Sequence, residues 1–226
     1  MEQFFLKVSI MLVPALMAIT CHEVSHGFIA DKFGDGTARS LGRLTLNPLK
    51  HLDVVGTLLI FVIGIGWAKP VPVNYANLRH PKRDMMWVAA AGPITNFLLA
   101  LFSAFAMRAL IWGAGTVQEG TPLAAFVDPV VLMLAFSVYI NLMLGIFNLI
   151  PVPPLDGGRV AVGILPTGPS MALARIEPFG MLIIIALVFF TDVFSYVIAP
   201  ALSFAVHLVA GPHSNLVFGV TKLMMR

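Results

Sequence analysis

Long apolar runs alternate along the chain with short polar stretches, and this pattern predicts an all-α polytopic membrane protein. Each run approaches the roughly 20 residues that a helix needs to cross a bilayer. The predicted spans are residues 4–30, 85–112, 124–149, 172–190 and 193–211. Because no polar stretch between them is long enough for a separate soluble domain, a single membrane domain is expected over residues 1–226.

A sixth apolar segment, residues 54–68, is shorter and is interrupted by glycines. Before it, residues 43–46 alternate between polar and apolar side chains as a strand would. After it, prolines at 70 and 72 oppose a continuing helix. The pattern therefore predicts five to six membrane segments, with a small membrane-associated β-hairpin or re-entrant region at residues 36–75, after the first span.

Basic residues cluster on both sides of this sixth segment, with four Lys or Arg in residues 31–53 and four in residues 69–84. Cytoplasmic loops carry an excess of these residues. A full crossing at 54–68 would put the two clusters on opposite sides of the membrane, whereas a re-entrant path would put both in the cytoplasm. The re-entrant path is favoured, with an N-terminus outside and a cytoplasmic C-terminus.

Composition excludes a soluble protein. Of 226 residues, 58% are hydrophobic and only 11% are charged, whereas soluble domains carry about 25% charged residues. The net charge is only +3, and the basic residues lie beside apolar segments. This placement indicates membrane topology and gives no reason to expect nucleic-acid binding. A multi-pass protein of the cell membrane is expected. Its one cysteine, Cys21, cannot form a disulfide within the chain.

The first span contains a His-Glu-x-x-His motif at residues 22–26. On a helix, His22 and His26 share a face and can bind one zinc ion, while Glu23 can reach a water at the metal without ligating it. Composition alone would yield roughly 0.003 such motifs in a chain like this one. Ionisable groups inside a membrane cost on the order of 2–3 kcal/mol each and are by default functional. Buried histidines that bond neighbouring helices are the plainer alternative.

A catalytic zinc usually takes three protein ligands, so the motif predicts another acidic or histidine side chain at the same depth. Asp156 is the best candidate, because it follows the third long span and should return to the level of His26. Prolines at 151, 153 and 154 break the helix there. The alternative is that Asp156 only caps a helix over residues 157–165. Asp128, Glu177 and His207 are less suitably placed.

Three motifs follow one another along the chain. They are HEVSHG at residues 22–27, AGPITN at 91–96 and NLIPVPPLDGGR at 148–159. Together they resemble the site-2 protease family of intramembrane metalloproteases, and GWAKPVPVN at residues 66–74 is similar to a bacterial and archaeal subgroup. The resemblance covers most of residues 15–160.

The resemblance implies one zinc ion per chain, with His22, His26 and Asp156 as ligands and Glu23 as general base and acid. It implies that Asn148 holds substrate backbone near the metal, and that Asn96 contacts substrate or supports the core. For both asparagines a plain helix contact is the alternative. The core would comprise the spans 4–30, 85–112 and 124–149, and the accessory spans would be 172–190 and 193–211.

Residues 41–73 would match the hairpin and gating region of the family, where a substrate strand can pair at an edge.

The expected activity is therefore hydrolysis of a peptide bond within a transmembrane segment of a membrane-protein substrate, as in regulated intramembrane proteolysis. The active site should lie near the cytoplasmic side. Residues 113–123 and the tail after 211 leave no room for the PDZ module or the C-terminal sensing domains of some family members, so a compact member is expected. The rival readings are a membrane metal-binding or transport protein and an inactive helix-binding scaffold. A transporter would gain nothing from Glu23 as a non-ligand.

Overall fold

The computed structural model describes residues 2–56, 68–114 and 120–225, and they are predominantly helical. Apolar side chains without a period-2 alternation favour helix over strand in these segments. The α-helices that lie wholly within the described residues are α1 (Glu2–Lys32), α2 (Thr37–Ser40), α3 (Pro81–Ala114), α4 (Pro122–Asn148), α5 (Asp156–Ile164), α6 (Thr167–Ala174), α7 (Gly180–Phe190), α8 (Ala199–Ala210) and α9 (Ser214–Met225).

Five helical stretches of the described residues are long and apolar enough to cross a membrane. They are Lys7–Lys32, Pro81–Ala114, Pro122–Asn148, Thr167–Phe190 and Phe194–Lys222. These stretches coincide with the five long spans predicted from the apolar runs. The all-α polytopic class is therefore confirmed, and the protein is a multi-pass membrane protein.

The last of these stretches is interrupted at Gly211. This residue has φ 58, a left-handed backbone conformation that glycine adopts without a steric penalty, and it ends α8. The residues beyond it, expected only as a short tail, form α9, whose Val217 and Val220 are buried in the apolar core.

The β-hairpin expected within residues 36–75 is not supported. The described residues of this region hold α2, two 3₁₀ turns and a single antiparallel bridge between Leu52 and Ala68, but no strand. Residues 57–67 lie outside the described residues, and with them most of the sixth apolar segment. Leu52 precedes this segment and Ala68 ends it, and these two residues pair; the re-entrant path stays a prediction.

The two basic loops also contact each other directly. The Arg79 N–H donates to the Phe33 carbonyl at 3.1 Å, and the Lys69 N–H donates to the His51 carbonyl at 2.8 Å. Residues 31–53 and 69–84 are therefore neighbours near the end of α1 and the start of α3. The side of the membrane on which they lie stays a prediction.

The chain divides into two compact units. Unit 1 comprises Met1–Ala18, Asn96–Ile146 and Ser195–Arg226, and unit 2 comprises Ile19–Thr95 and Phe147–Phe194. The single domain expected over residues 1–226 stays a prediction. The core of unit 1 includes Ile10 of α1, Met107 of α3, Leu142 of α4 and Val206 of α8. Unit 2 has a smaller apolar cluster around Ala30, Leu78 and Val88.

A chain of buried hydrogen bonds crosses the core of unit 1. The Asn96 side-chain amide donates to the Ala18 carbonyl at 3.3 Å and to Asn141 Oδ1 at 2.9 Å. Asn141 donates to the Ser137 carbonyl, and the Ser137 and Ser103 hydroxyls are 2.8 Å apart. In a lipid environment such bonds join helices because no water competes for the polar groups. They tie α1, α3 and α4 together.

We predict that Asn96→Leu and Asn141→Leu each destabilise the protein and that their effects are coupled. A double-mutant cycle, read from unfolding in detergent micelles, should yield a coupling energy of about 0.6–1.7 kcal/mol, the range of such bonds in membrane proteins. Asn96→Leu combined with Thr221→Val is the control, because the Thr221 hydroxyl bonds within its own helix to the Phe218 carbonyl. Additive effects in the Asn96 and Asn141 pair would contradict the prediction.

Candidate metal centre

Two histidines project from one face of α1 at the depth of the membrane-spanning segment. His22 and His26 are four residues apart on this helix, so their side chains lie one above the other. Their Nε2 atoms are 3.1 Å apart and their rings meet edge to face. His22 is buried, and the side chain of His26 is only 12% exposed. The two imidazoles thus present two nitrogens to one small volume.

The non-helical segment between α4 and α5 places Asp156 beside the two histidines. Helix α4 ends at Asn148, the proline-rich residues 149–155 are not helical, and α5 begins at Asp156. Gly157 and Gly158 let that segment pack on the first turn of α5, because a Cβ on either residue would lie 2.2 Å from a backbone atom, Leu149 O or Pro153 N. The double glycine therefore allows the sharp return that the sequence predicted.

The three side chains converge with the spacing of a zinc site. His22 Nε2 lies 3.1 Å from Asp156 Oδ2, and His26 Nε2 lies 3.4 Å from Asp156 Oδ1. The two Nε2 atoms are 3.1 Å apart. These three distances match the roughly 3.3 Å that separates two ligand atoms of a tetrahedral zinc when each lies about 2.0–2.1 Å from the metal. Among the described residues, this is the group of histidine, cysteine and acidic side chains that could hold a metal ion.

The Asp156 carboxylate does not serve as the N-cap of α5. Leu155 is the N-cap of α5, so the alternative in which Asp156 only caps this helix is wrong. Asp156 Oδ2 is buried and accepts no hydrogen bond of good geometry. A buried carboxylate with an unused oxygen fits a metal ligand.

Helix α3 orients one of the rings. His26 Nδ1 is 2.7 Å from the Val88 carbonyl. Because a carbonyl can only accept, Nδ1 carries the proton, and the lone pair of Nε2 points toward His22 and Asp156. Metal-bound histidines are commonly held in this way by a partner on the other ring nitrogen.

Gly92 of α3 forms a wall of the site. A Cβ at this position would lie 2.5 Å from His22 Cε1 and 2.6 Å from His26 Nε2, closer than real contacts allow. The bare backbone of α3 therefore packs directly against both rings. This gives the glycine of the AGPITN motif a physical role.

Glu23 and the two asparagines lie in different surroundings. Glu23, next to His22 on α1, accepts a hydrogen bond from the Val71 N–H at 2.9 Å through its Oε2. Asn148 is the last residue of α4 and is partly buried. Asn96 belongs to the buried network of unit 1, where it bonds to Ala18 and Asn141. The roles expected for these residues stay predictions.

Comparison with known proteins identifies the family. The chain matches peptidase family M50 over residues 10–191. This chain belongs to peptidase family M50. The match includes both histidines and Asp156, so the family's sequence pattern extends over every element that builds the site.

Relatives of the chain carry the name "putative zinc metalloprotease". YwhC of Bacillus subtilis (strain 168) is 39% identical over 193 residues, 85% of each chain. Rip2 of Mycolicibacterium smegmatis is 30% identical over 182 residues, which are 76% of this chain and 63% of that one. MJ0611 of Methanocaldococcus jannaschii is 31% identical over 140 residues, 62% of each chain. No solved structure matches the chain significantly.

Several contributors to the site were not predicted from the sequence. The Val88 carbonyl and the Val71 amide are backbone groups, so residue type carries no signal for them. For Gly92, the position four residues before Asn96 in one motif was the available clue, but which face of α3 meets the histidines depends on the packing.

We predict that Gly92→Ala lowers zinc affinity about 10-fold or more, because the added methyl group must displace a ligand ring. Zinc content of the purified protein, measured by mass spectrometry across a chelator titration, checks this. Gly168→Ala in α6 is the matched control, since a Cβ there would meet nothing within 4 Å. Equal zinc retention in both variants would contradict the assigned wall.

Proposed function

We propose that the protein is a zinc-dependent intramembrane endopeptidase that hydrolyses a peptide bond within a transmembrane segment of a membrane protein. The observation that carries this proposal is the convergence of His22, His26 and Asp156, with Glu23 beside them on a membrane-spanning helix. Membership of peptidase family M50 and the names of its relatives support the zinc and the peptidase activity. The substrate class follows from the membrane setting of the site.

The division of labour follows from the geometry. His22, His26 and Asp156 would hold one zinc ion, which supplies a Lewis acid that polarises the scissile carbonyl and makes water nucleophilic near neutral pH. Glu23 takes a proton from the attacking water. As the carbon–nitrogen bond breaks, Glu23 returns the proton to the leaving amine. Because peptide bonds in a helix are shielded, the substrate must unwind locally before attack.

The two asparagines are assigned different roles. Asn148 is the last residue of α4, eight residues before α5 begins, and we assign it to hold substrate backbone. For Asn96, complete burial and two hydrogen bonds to neighbouring helices favour support of the helix packing over substrate contact.

We further propose that the site opens toward the cytoplasm, with the N-terminus outside. The exposed Lys32, Arg39, Lys82 and Arg83 are all near the end of α1 or the start of α3, and the two basic loops bond to each other. The positive-inside tendency then assigns this end to the cytoplasm. A site about 13 Å from the end of α1 lies within reach of water from that side.

Replacement of the base tests the mechanism. Glu23→Gln should keep zinc but lower the cleavage rate of a model membrane substrate by a factor on the order of 10²–10⁴, because a positioned acid–base group contributes about that much. Asp156→Asn should lose zinc and activity together, whereas Asp192→Asn, in an exposed turn, should keep both. A zinc chelator should stop cleavage by the unchanged protein.

The same variants separate the rival functions. A metal transporter would keep its zinc transport in Glu23→Gln, and a scaffold would have no cleavage to lose. The proposed mechanism would be contradicted if Glu23→Gln, with zinc bound, cleaved the substrate at the unchanged rate.

Cysteine accessibility tests the orientation. In a Cys21→Ser background, a cysteine at the exposed Ser40 should react with a membrane-impermeant thiol reagent only from the cytoplasmic side of sealed vesicles. A cysteine at the exposed Leu123 at the start of α4 should react only from the outside. Reaction of both from the same side would contradict the proposed topology.

A further inference from the structure

The amide of Val71 makes a contact that neither the motif nor the family match assigns. We propose that this backbone N–H is a positioning group for Glu23, held in place by two clamps in the loops around the end of α1. The inference rests on the proposed role of Glu23 as the base. It makes the segment of residues 69–77 a support for the base rather than a passive cover.

The contact is short and partly shielded from solvent. The Val71 N–H donates to Glu23 Oε2 at 2.9 Å, and Val71 is only 6% exposed. A hydrogen bond to a carboxylate is about twice as strong as one between neutral groups. Glutamate otherwise rotates about three side-chain bonds. With Oε2 held by the amide, Oε1 has a defined direction in which to take a proton.

Gly27 permits this approach. It lies four residues after Glu23, on the same face of α1. A Cβ at Gly27 would lie 2.7 Å from Val71 Cγ1 and 2.7 Å from Leu44 Cδ2. The bare helix backbone at this point therefore lets the loop segment come within hydrogen-bond distance of the carboxylate. This explains the glycine that ends HEVSHG.

The donor is rigid on its upstream side. Pro70 and Pro72 flank Val71, and a residue before proline is restricted to extended conformations. Arg43 Nη2 donates to the Lys69 carbonyl at 2.9 Å and to the Pro70 carbonyl at 3.3 Å. The peptide bonds leading to Val71 are thus fastened to the loop that follows α2.

Asp35 forms the downstream clamp. Its buried carboxylate accepts hydrogen bonds from the Asn74 N–H at 2.7 Å, from the Asn77 side-chain amide at 3.0 Å and from the Thr37 N–H and hydroxyl. Burial raises the pKa of Asp35, but these donors outweigh it and leave the pKa below its ordinary value. The ionised Asp35 therefore joins the end of α1 to the residues just after Val71.

This arrangement separates the orientation of the base from metal binding. Gly92 and Val88 of α3 pack against the histidines, whereas Val71 and Gly27 define the surroundings of Glu23. A displacement of a catalytic group by about 1 Å can cost on the order of 100-fold in rate. Disturbing the Val71 contact should therefore lower kcat while zinc remains bound.

The first test compares V71P with V71A. V71P removes the N–H but keeps an apolar side chain in an extended segment, and V71A keeps the N–H while trimming the side chain. We expect kcat to fall about 10- to 100-fold in V71P, with KM and zinc content unchanged, and to fall less in V71A, which keeps the donor. An unchanged kcat in V71P, or an equal loss in both variants, would overturn the inference.

The second test needs no activity and decides the matter if V71P does not fold. Amide hydrogen exchange of the full chain in micelles is compared between the unchanged protein and Glu23→Ala. The Val71 amide should exchange at least 10-fold faster in Glu23→Ala. The Lys69 amide, bonded to the His51 carbonyl at 2.8 Å, should be unchanged and is the internal control. An unchanged Val71 rate would overturn the inference.

The outcomes distinguish this inference from the proposed function. If Glu23→Gln cleaves normally, the function of Glu23 as the base fails and the inference fails with it. If Glu23→Gln is inactive but V71P has the parental kcat, only the positioning role of Val71 fails.

Discussion

Ionisable side chains inside an apolar helix raise the free energy of a membrane protein unless they find partners. In this chain the partner of His22 and His26 is Asp156. Its side chain lies beside both histidines, although it follows them by about 130 residues in the sequence. Helices α3 and α4 hold these three side chains together. The broken end of α4 brings the carboxylate, and α3 approaches closely enough to orient the rings.

Close packing of backbone is the second requirement, and two glycines meet it on two different sides. Gly92 lets α3 touch the histidines, and Gly27 lets the loop with Val71 touch α1 beside Glu23. Larger residues at these positions would push apart elements whose separation must hold within fractions of an ångström. The site therefore depends on the small size of Gly92 and Gly27 as well as on its ligands.

The sequence predicted the parts of the structure that depend on residue type and local spacing. Apolar runs are long enough to predict five spans, and His22 and His26 share a face in any helix. The proline-rich break before Asp156 predicted its return, and Asp156 lies beside the histidines as expected. The β-hairpin is not supported among the described residues, because alternation over residues 43–46 is too short a signal to outweigh the prolines and turns around it. Contacts through backbone groups, such as Val88 O and Val71 N, could not be predicted, since any residue type carries them.

We propose that one metal ion joins the first span to the residue that begins α5, and X-ray absorption spectroscopy of the zinc-loaded protein tests this directly. We predict a shell of two imidazole nitrogens and carboxylate oxygen at about 2.0–2.1 Å, and a loss of bound zinc in Asp156→Ala. A spectrum with fewer than two imidazoles, or one that Asp156→Ala leaves unchanged, would contradict it.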